Sequence, residues 1–343
     1  MAMVSESRWA TEATASLPST VRSRGVLMGL TGSTGRARPR RAPATQPLRR
    51  ESHLARLGAR AAAGLLALAM SAGCASTPAA SRMTAPLTVE FPGGTARLHG
   101  ILWTPSGPGP FPAVLFNHGS GGATWDETAG MPITEAAERL APLFVKHGYA
   151  FFYPFRRGHG PSHDAGPFLQ DRLALEERER GKEARQRLQD TLLETEQLDD
   201  VLAALAWLRS RAEIAPGRVA LAGHSFGGQL TLLAAGRDTS VRAAVTFAAA
   251  AGSWLRSEEV RRALTGSVRR ARCPVMLVQW RNDFSVEATT ALATERNHAG
   301  QSPIAVLYPP IGSTPEEGHG GLYLDMGRWE PDVFRFLEQA LSH

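Results

Sequence analysis

The sequence predicts an α/β fold: a mostly parallel central sheet, helices on both faces and an N-terminal antiparallel hairpin at one edge. Three observations carry this expectation. Short, wholly apolar runs rich in Val, Leu, Ile and Ala alternate with segments whose apolar residues repeat at helical spacing, as expected of buried parallel strands joined by helices. One such run, residues 219–222, meets Gly223-His224-Ser225-Phe226-Gly227, and residues 229–235 continue as the opening turns of a helix. Ahead of these, residues 87–91 and 96–104 alternate in a strand-like way around Pro92-Gly93-Gly94, which reads as a hairpin.

The 343 residues, 43% of them hydrophobic, can bury a sizeable core. The formal charge of +6 is unevenly spread: residues 1–74 hold eleven Arg and three acidic groups, leaving 27 basic and 29 acidic groups in the rest. The remainder is therefore close to neutral, and a nucleic-acid partner is not expected. Arg-rich residues 36–60 precede the short apolar run 61–70 and then Ser71-Ala72-Gly73-Cys74. A basic region, an apolar stretch too short to span a bilayer and a small-residue site make an export signal, so the protein is expected outside the bacterial cytoplasm. The length of the basic region points to translation starting downstream of Met1. Residues 75–85, rich in Ser, Thr, Ala and Pro, read as a flexible tether, and residues 86–343 as the folded domain. With two cysteines, Cys74 and Cys273, a disulfide scaffold is excluded, and Cys273 before the strand at 274–279 reads as a buried thiol.

After the hairpin, the turn cluster 105–112 leads to a buried strand at 113–116 that ends in Asn117-His118-Gly119-Ser120-Gly121-Gly122. Helical spacing of Ala137, Leu140, Leu143 and Phe144 predicts a helix over 134–147 with Gly148 at its end. A strand over 149–155 follows, leading into Arg156-Arg157-Gly158-His159-Gly160-Pro161-Ser162. Residues 171–187 are dense in charge with Gly181 among them. They read either as solvated helix or, with the rest of 162–190, as a cap over the site. Leu198, Val201, Leu202, Leu205 and Leu208 mark a helix on the sheet, before Pro216-Gly217 and the strand leading to Ser225. Strands at 243–247, 275–279 and 304–308 then alternate with helices at 258–264, 286–298 and 331–341.

Gly-x-Ser-x-Gly between a strand and a helix, with His118-Gly119 upstream, resembles the nucleophile elbow of the α/β-hydrolase superfamily. Over residues 87–343 the chain is similar to its dienelactone hydrolase-like and prolyl-oligopeptidase-like branch. Gly223 and Gly227 remove Cβ atoms that would crowd so sharp a turn. Dienelactone hydrolases proper use a cysteine nucleophile where this chain has Ser225. The superfamily order of serine, acid and histidine directs attention to loops after later strands: Asp283 lies just beyond 275–279, and His319 lies in the glycine-rich loop beyond 304–308. Glu287 is the alternative acid. The resemblance makes His118 structural and assigns the oxyanion donors to the backbone N–H groups of Ser120 and Phe226. His224 reads as packed beside the nucleophile.

His159, His163 and Asp164 lie in a Gly/Pro loop rather than on one helix face and are not expected to hold a metal. Arg157 fits either a substrate carboxylate or a structural ion pair. No phosphate or dinucleotide fingerprint is present, and no cofactor is expected.

The sequence therefore predicts a serine hydrolase acting through Ser225, His319 and Asp283 on a small-molecule carboxylic ester, by way of an acyl-enzyme. A peptidase or amidase of prolyl-oligopeptidase type uses the same chemistry, and a non-catalytic binding protein is the reading from another class. Cys74 after Ala72-Gly73 is similar to a bacterial lipoprotein signal, with Ser71 where Leu is usual. Lipidation at Cys74, which would anchor the protein to a membrane, and simple cleavage both stand.

Overall fold

The computed structural model describes residues 82–121 and 132–342. The expected export signal, Cys74, most of the expected 75–85 tether and residues 122–131 lie outside these residues.

Eight strands form one sheet in the order β1-β2-β4-β3-β5-β6-β7-β8. They are β1 (Leu87–Gly93), β2 (Ala96–Trp103), β3 (Phe111–Asn117), β4 (Ala150–Phe155), β5 (Ile214–His224), β6 (Ala243–Phe247), β7 (Val275–Trp280) and β8 (Ile304–Tyr308). The hairpin β1–β2 is antiparallel and β2 pairs antiparallel with β4; β4, β3, β5, β6, β7 and β8 run parallel. This is the α/β-hydrolase fold expected from the alternation of apolar runs and helices.

Because successive strand residues point to opposite faces, each wholly apolar strand feeds two cores at once. In β3, Ala113 and Leu115 join the core that holds α4 (Glu196–Arg209), α5 (Phe226–Arg237), α6 (Glu258–Arg270) and α7 (Glu287–His298). Val114 and Phe116 join the core on the other face, beneath α1 (Pro132–Lys146) and α9 (Met326–Leu341). The last helix starts five residues before the expected 331, with Pro331 inside it. The turn before that proline is pinned by Trp329, which is fully buried and donates its indole N–H to the Leu322 carbonyl at 2.8 Å.

The charged segment resolves into a 3₁₀ turn at Gly160–Ala165 and two helices, α2 (Leu169–Arg180) and α3 (Lys182–Glu194), broken at Gly181 with φ 86°. Leu169, Leu173, Leu192 and Leu193 are buried in the first core with Leu188 packed against it, while Leu175 and most of the charged residues are partly or fully exposed. Polar ties fasten the pair: Arg172 bonds Glu196 at 2.6 Å, and the Ser257 hydroxyl donates to the buried Asp190 at 2.8 Å.

One close approach fixes the geometry at the carboxy ends of β3 and β5. A Cβ built on Gly227 would overlap the carbonyl oxygens of Asn117 and His118, which are backbone and have nowhere to go. Gly227→Ala is therefore expected to cost about 2 kcal/mol or more in a denaturant titration. Gly217→Ala, with open space at its Cβ position, should stay within about 0.5 kcal/mol of the parent. Equal midpoints for the two variants would contradict this packing.

Candidate active site

At the end of β5 the chain reverses into α5 through Ser225, whose φ of 54° and ψ of −118° are strained for a residue with a Cβ. The strain is held in place from both sides: Ser225 N–H donates to the Phe247 carbonyl at 2.8 Å, and its carbonyl accepts from Gln229 N–H at 3.2 Å. Beside it, Ala248 and Ala250 also have positive φ, 54° and 59°.

Asp283 follows β7 in a turn closed by its N–H to the Trp280 carbonyl at 3.1 Å. Its carboxylate is fully buried and accepts three hydrogen bonds besides being aimed at no solvent: from Gln279 Nε2 at 2.7 Å, from Phe284 N–H at 2.7 Å and from His319 Nδ1 at 2.9 Å. Such donors fix its orientation. On the other side of the ring, His319 Nε2 lies 2.9 Å from Ser225 Oγ. With Nδ1–H directed at Asp283, the lone pair of Nε2 faces Ser225 Oγ. The structure thus brings Ser225, Asp283 and His319 into one hydrogen-bonded chain, whereas Glu287 opens α7 exposed to solvent.

His319 does not sit in an open loop as expected. It ends a short helix, α8 (Pro315–His319), started by a capping box in which Thr314 and Glu317 satisfy each other's backbone N–H groups. The Thr-x-x-Glu spacing that produces this cap is visible in the sequence. Asn282, not singled out from the sequence, staples this helix to the acid loop: its Nδ2 donates to the Ile311 and Thr314 carbonyls, both at 2.8 Å, and its Oδ1 accepts from Ile311 N–H at 3.0 Å. Gly318 permits the approach, since a Cβ there would run into the backbone of Asn282 and Asp283.

His224 is more than packing. Its Nε2–H donates to the His319 carbonyl at 2.8 Å, with the two rings 4.9 Å apart. Burial, then the neighbouring His319, lowers its pKa to about 3, so it stands neutral beside the base.

The loop after β3 is held from below. Asn117 Nδ2 donates to Thr231 Oγ1 at 2.9 Å. The fully buried Arg156, also missed in the sequence, donates to the His118 and Gly119 carbonyls, both at 2.8 Å, and to Gln197 Oε1 at 2.9 Å. Its guanidinium lies 5.5 Å from the Phe226 ring centroid. Burial lowers its pKa to about 9, which leaves it cationic at neutral pH. His118 Nδ1–H donates to the Gly119 carbonyl at 2.7 Å, and its Nε2 accepts from Arg156 N–H at 3.3 Å, a neutral tautomer with a structural task. His159 places its ring nitrogens 3.1 Å from the Ser120 carbonyl and 3.0 Å from the Arg157 carbonyl; burial lowers its pKa to about 4, so one N–H serves one of the two. Ser120 therefore lies on a clamped loop, and Phe226 is the first residue of α5, where backbone N–H groups have no helical acceptor.

The remaining candidates resolve plainly. Arg157 is committed to Asp200 through its Nη2 at 2.6 Å and its Nε at 3.0 Å, a structural ion pair. Among the described residues no group of three or more His, Cys, Asp or Glu side chains is placed to hold a metal. Cys273 is buried, and burial raises its thiol pKa to about 11.

Three neutral buried histidines give the stability a direction with pH. His224, His159 and His118 all titrate below the ordinary value of about 6.5, through burial first. Above about pH 6.5 both folded and unfolded chains hold them neutral. As pH falls from there, the unfolded chain takes up protons that the folded one refuses, and stability drops by up to about 1.4 kcal/mol per pH unit for each. Urea midpoints should fall steadily from pH 6.5 to 4.5; a flat profile over that window would contradict neutral burial.

Comparison with known proteins agrees with this architecture. The quorum-quenching protein AidA of Acinetobacter baumannii is 31% identical over 162 residues, 47% of this chain and 43% of that protein. The match thus spans less than half of that relative's length. Among solved structures, an acylaminoacyl peptidase of Pyrococcus horikoshii superposes with a TM-score of 0.54 at 16% identity, over 76% of this chain and 42% of that one. A protein of Klebsiella pneumoniae assigned as a dienelactone hydrolase gives 0.52 at 15% identity, over 73% and 99%. An esterase of Pyrococcus furiosus gives 0.51 at 16% identity, over 75% and 93%. These structures share the fold. The sequence profile of the dienelactone hydrolase family matches residues 98–308, well over half of the chain, and the protein belongs to that family.

Proposed function

We propose that the protein is a serine hydrolase that cleaves a carboxylic ester through an acyl-enzyme on Ser225. The observation that carries this reading is the unbroken chain from Asp283 Oδ1 to His319 Nδ1 and from His319 Nε2 to Ser225 Oγ, 2.9 Å at each link. Ser225 Oγ attacks the ester carbonyl while His319 Nε2 takes its proton. Asp283 holds the ring in the required tautomer and stabilises the imidazolium that forms. The negative charge developing on the carbonyl oxygen meets the N–H groups of Ser120 and Phe226; one such donor is worth about 3 kcal/mol of barrier. The imidazolium then gives its proton to the departing alkoxide. In the second half, His319 activates water, which attacks the acyl-serine and releases the acid.

A lactone is an intramolecular ester and is opened by the same steps, so linear esters and lactones both fall in the substrate class. The family's name supports including lactones. The basic region and short apolar run before Cys74 support export of this hydrolase from the cytoplasm.

A fluorophosphonate probe should label the protein at Ser225, and Ser225→Ala should abolish both labelling and ester turnover without altering the fold. Asp283→Asn should lower kcat by about 10⁴-fold, because the ring loses its tautomer. A folded protein that resists the probe, or a Ser225→Ala variant that still turns over ester, would overturn the proposal. Faster cleavage of aminoacyl arylamides than of aryl esters would make it an amidase instead.

A further inference from the structure

We infer that Phe284 and Leu324 form an apolar lip that receives the alcohol part of the substrate, so that the enzyme prefers esters of apolar alcohols. The inference rests on the serine-hydrolase reading and adds the side of the substrate that is selected.

Proton transfer fixes which part of the ester lies where. The leaving oxygen takes its proton from His319 Nε2, so the alcohol must pass beside the His319 ring, while the carbonyl oxygen points at Ser120 and Phe226. One neighbour of that ring is closed to substrate: His224, buried, with its ring 4.9 Å away and Tyr323 set edge-on to it at 5.4 Å. Another neighbour is the Phe284 ring, 5.4 Å from the imidazole and 51% exposed.

Phe284 is not a loosely placed surface residue. Its N–H donates to Asp283 Oδ1 at 2.7 Å, the same oxygen that accepts from His319 at 2.9 Å, so the acid that orients the base also fixes the backbone that carries the phenyl ring. Leu324, 54% exposed, flanks the residue that follows the base: its Cδ1 lies 3.5 Å from the Cβ position of Gly320. The stretches that carry and follow the acid and the base thus each present one half-exposed large apolar side chain, Phe284 next to Asp283 and Leu324 at the end of the short helix Gly321–Leu324 after His319, among described residues whose large apolar side chains are mostly buried. Single exposed apolar residues are common and carry no message by themselves. Here the phenyl ring contacts the group that protonates the leaving atom. The oxyanion loop, by contrast, meets Phe168, whose ring lies 3.5 Å from the Cβ position of Gly121, so the alcohol lip is separate from that contact.

Acetate esters of methanol, butanol and octanol test this directly, because the acyl group is constant and the alkoxides leave with similar ease. In the parent protein kcat/KM should rise about tenfold from methyl to octyl acetate, carried mainly by KM. The octyl-to-methyl ratio should collapse to about twofold in a Phe284→Ala/Leu324→Ala variant and survive in Phe284→Leu, which keeps an apolar side chain. Fluorophosphonate labelling of Ser225 in both variants reports that they are folded. A flat series in the parent, or an undiminished ratio in the double variant, overturns the lip while leaving ester hydrolysis in place. Absence of turnover of every ester by a protein that labels at Ser225 overturns the ester reading, and the lip with it.

Discussion

Two hydrogen bonds to one imidazole, from His319 Nδ1 to Asp283 and between His319 Nε2 and Ser225, each 2.9 Å long, tie together the ends of β5, β7 and β8. They impose a demand on the whole fold. Three side chains separated by up to 94 positions in the chain must meet to within a fraction of an ångström, and a parallel sheet meets that demand by bringing the carboxy ends of its strands to one edge. The elements around the site then act on the loops: Asn282 on the helix that carries His319, His224 on the His319 carbonyl, Gln279 on the acid.

The loop after β3 is built on a different principle. Besides the bonds that hold the Asn117 and His118 side chains, its carbonyls are gripped by a buried cation. Arg156 places two N–H groups on consecutive carbonyl oxygens of the loop, His118 and Gly119, and a third on Gln197. A buried guanidinium costs desolvation energy unless its donors are satisfied, and carbonyl dipoles satisfy them without neutralising the charge. Strain is concentrated at the same place: Ser225, Ala248 and Ala250 all take positive φ, and the elbow and the turn after β6 brace each other through the bond from Ser225 N–H to the Phe247 carbonyl.

Much of this was legible in the chain. The parallel strands declare themselves by being apolar at every position, as in Val275–Trp280, because both faces of the sheet are covered. Ser225 is marked by the glycines of its turn, Asp283 by standing just past β7 and His319 by its glycine neighbours, in the serine, acid, histidine order that the family resemblance implies. What escaped was what depends on tertiary contact. Arg156 and Arg157 are neighbours of one type, yet one clamps the oxyanion loop and the other pairs with Asp200; only the direction of each side chain separates them. Asn282 carries no signal of its own in the sequence, since its two carbonyl partners lie about thirty positions away. The helix ending at His319 was missed although Thr314 and Glu317 announced it, because the glycines after His319 drew the eye to a loop. Composition alone does not settle the charged segment 171–187, since four buried leucines seat its two helices and three of them, Leu169, Leu192 and Leu193, lie outside it.

The central claim is that Ser225 becomes acylated. Rapid acid quench of the protein with an activated ester, followed by mass analysis of the digest, tests it most directly. The account predicts a transient acyl adduct on the peptide containing Ser225, formed within one turnover and lost as the acid is released. Product formation with no adduct, or an adduct on Cys273 instead, would contradict it.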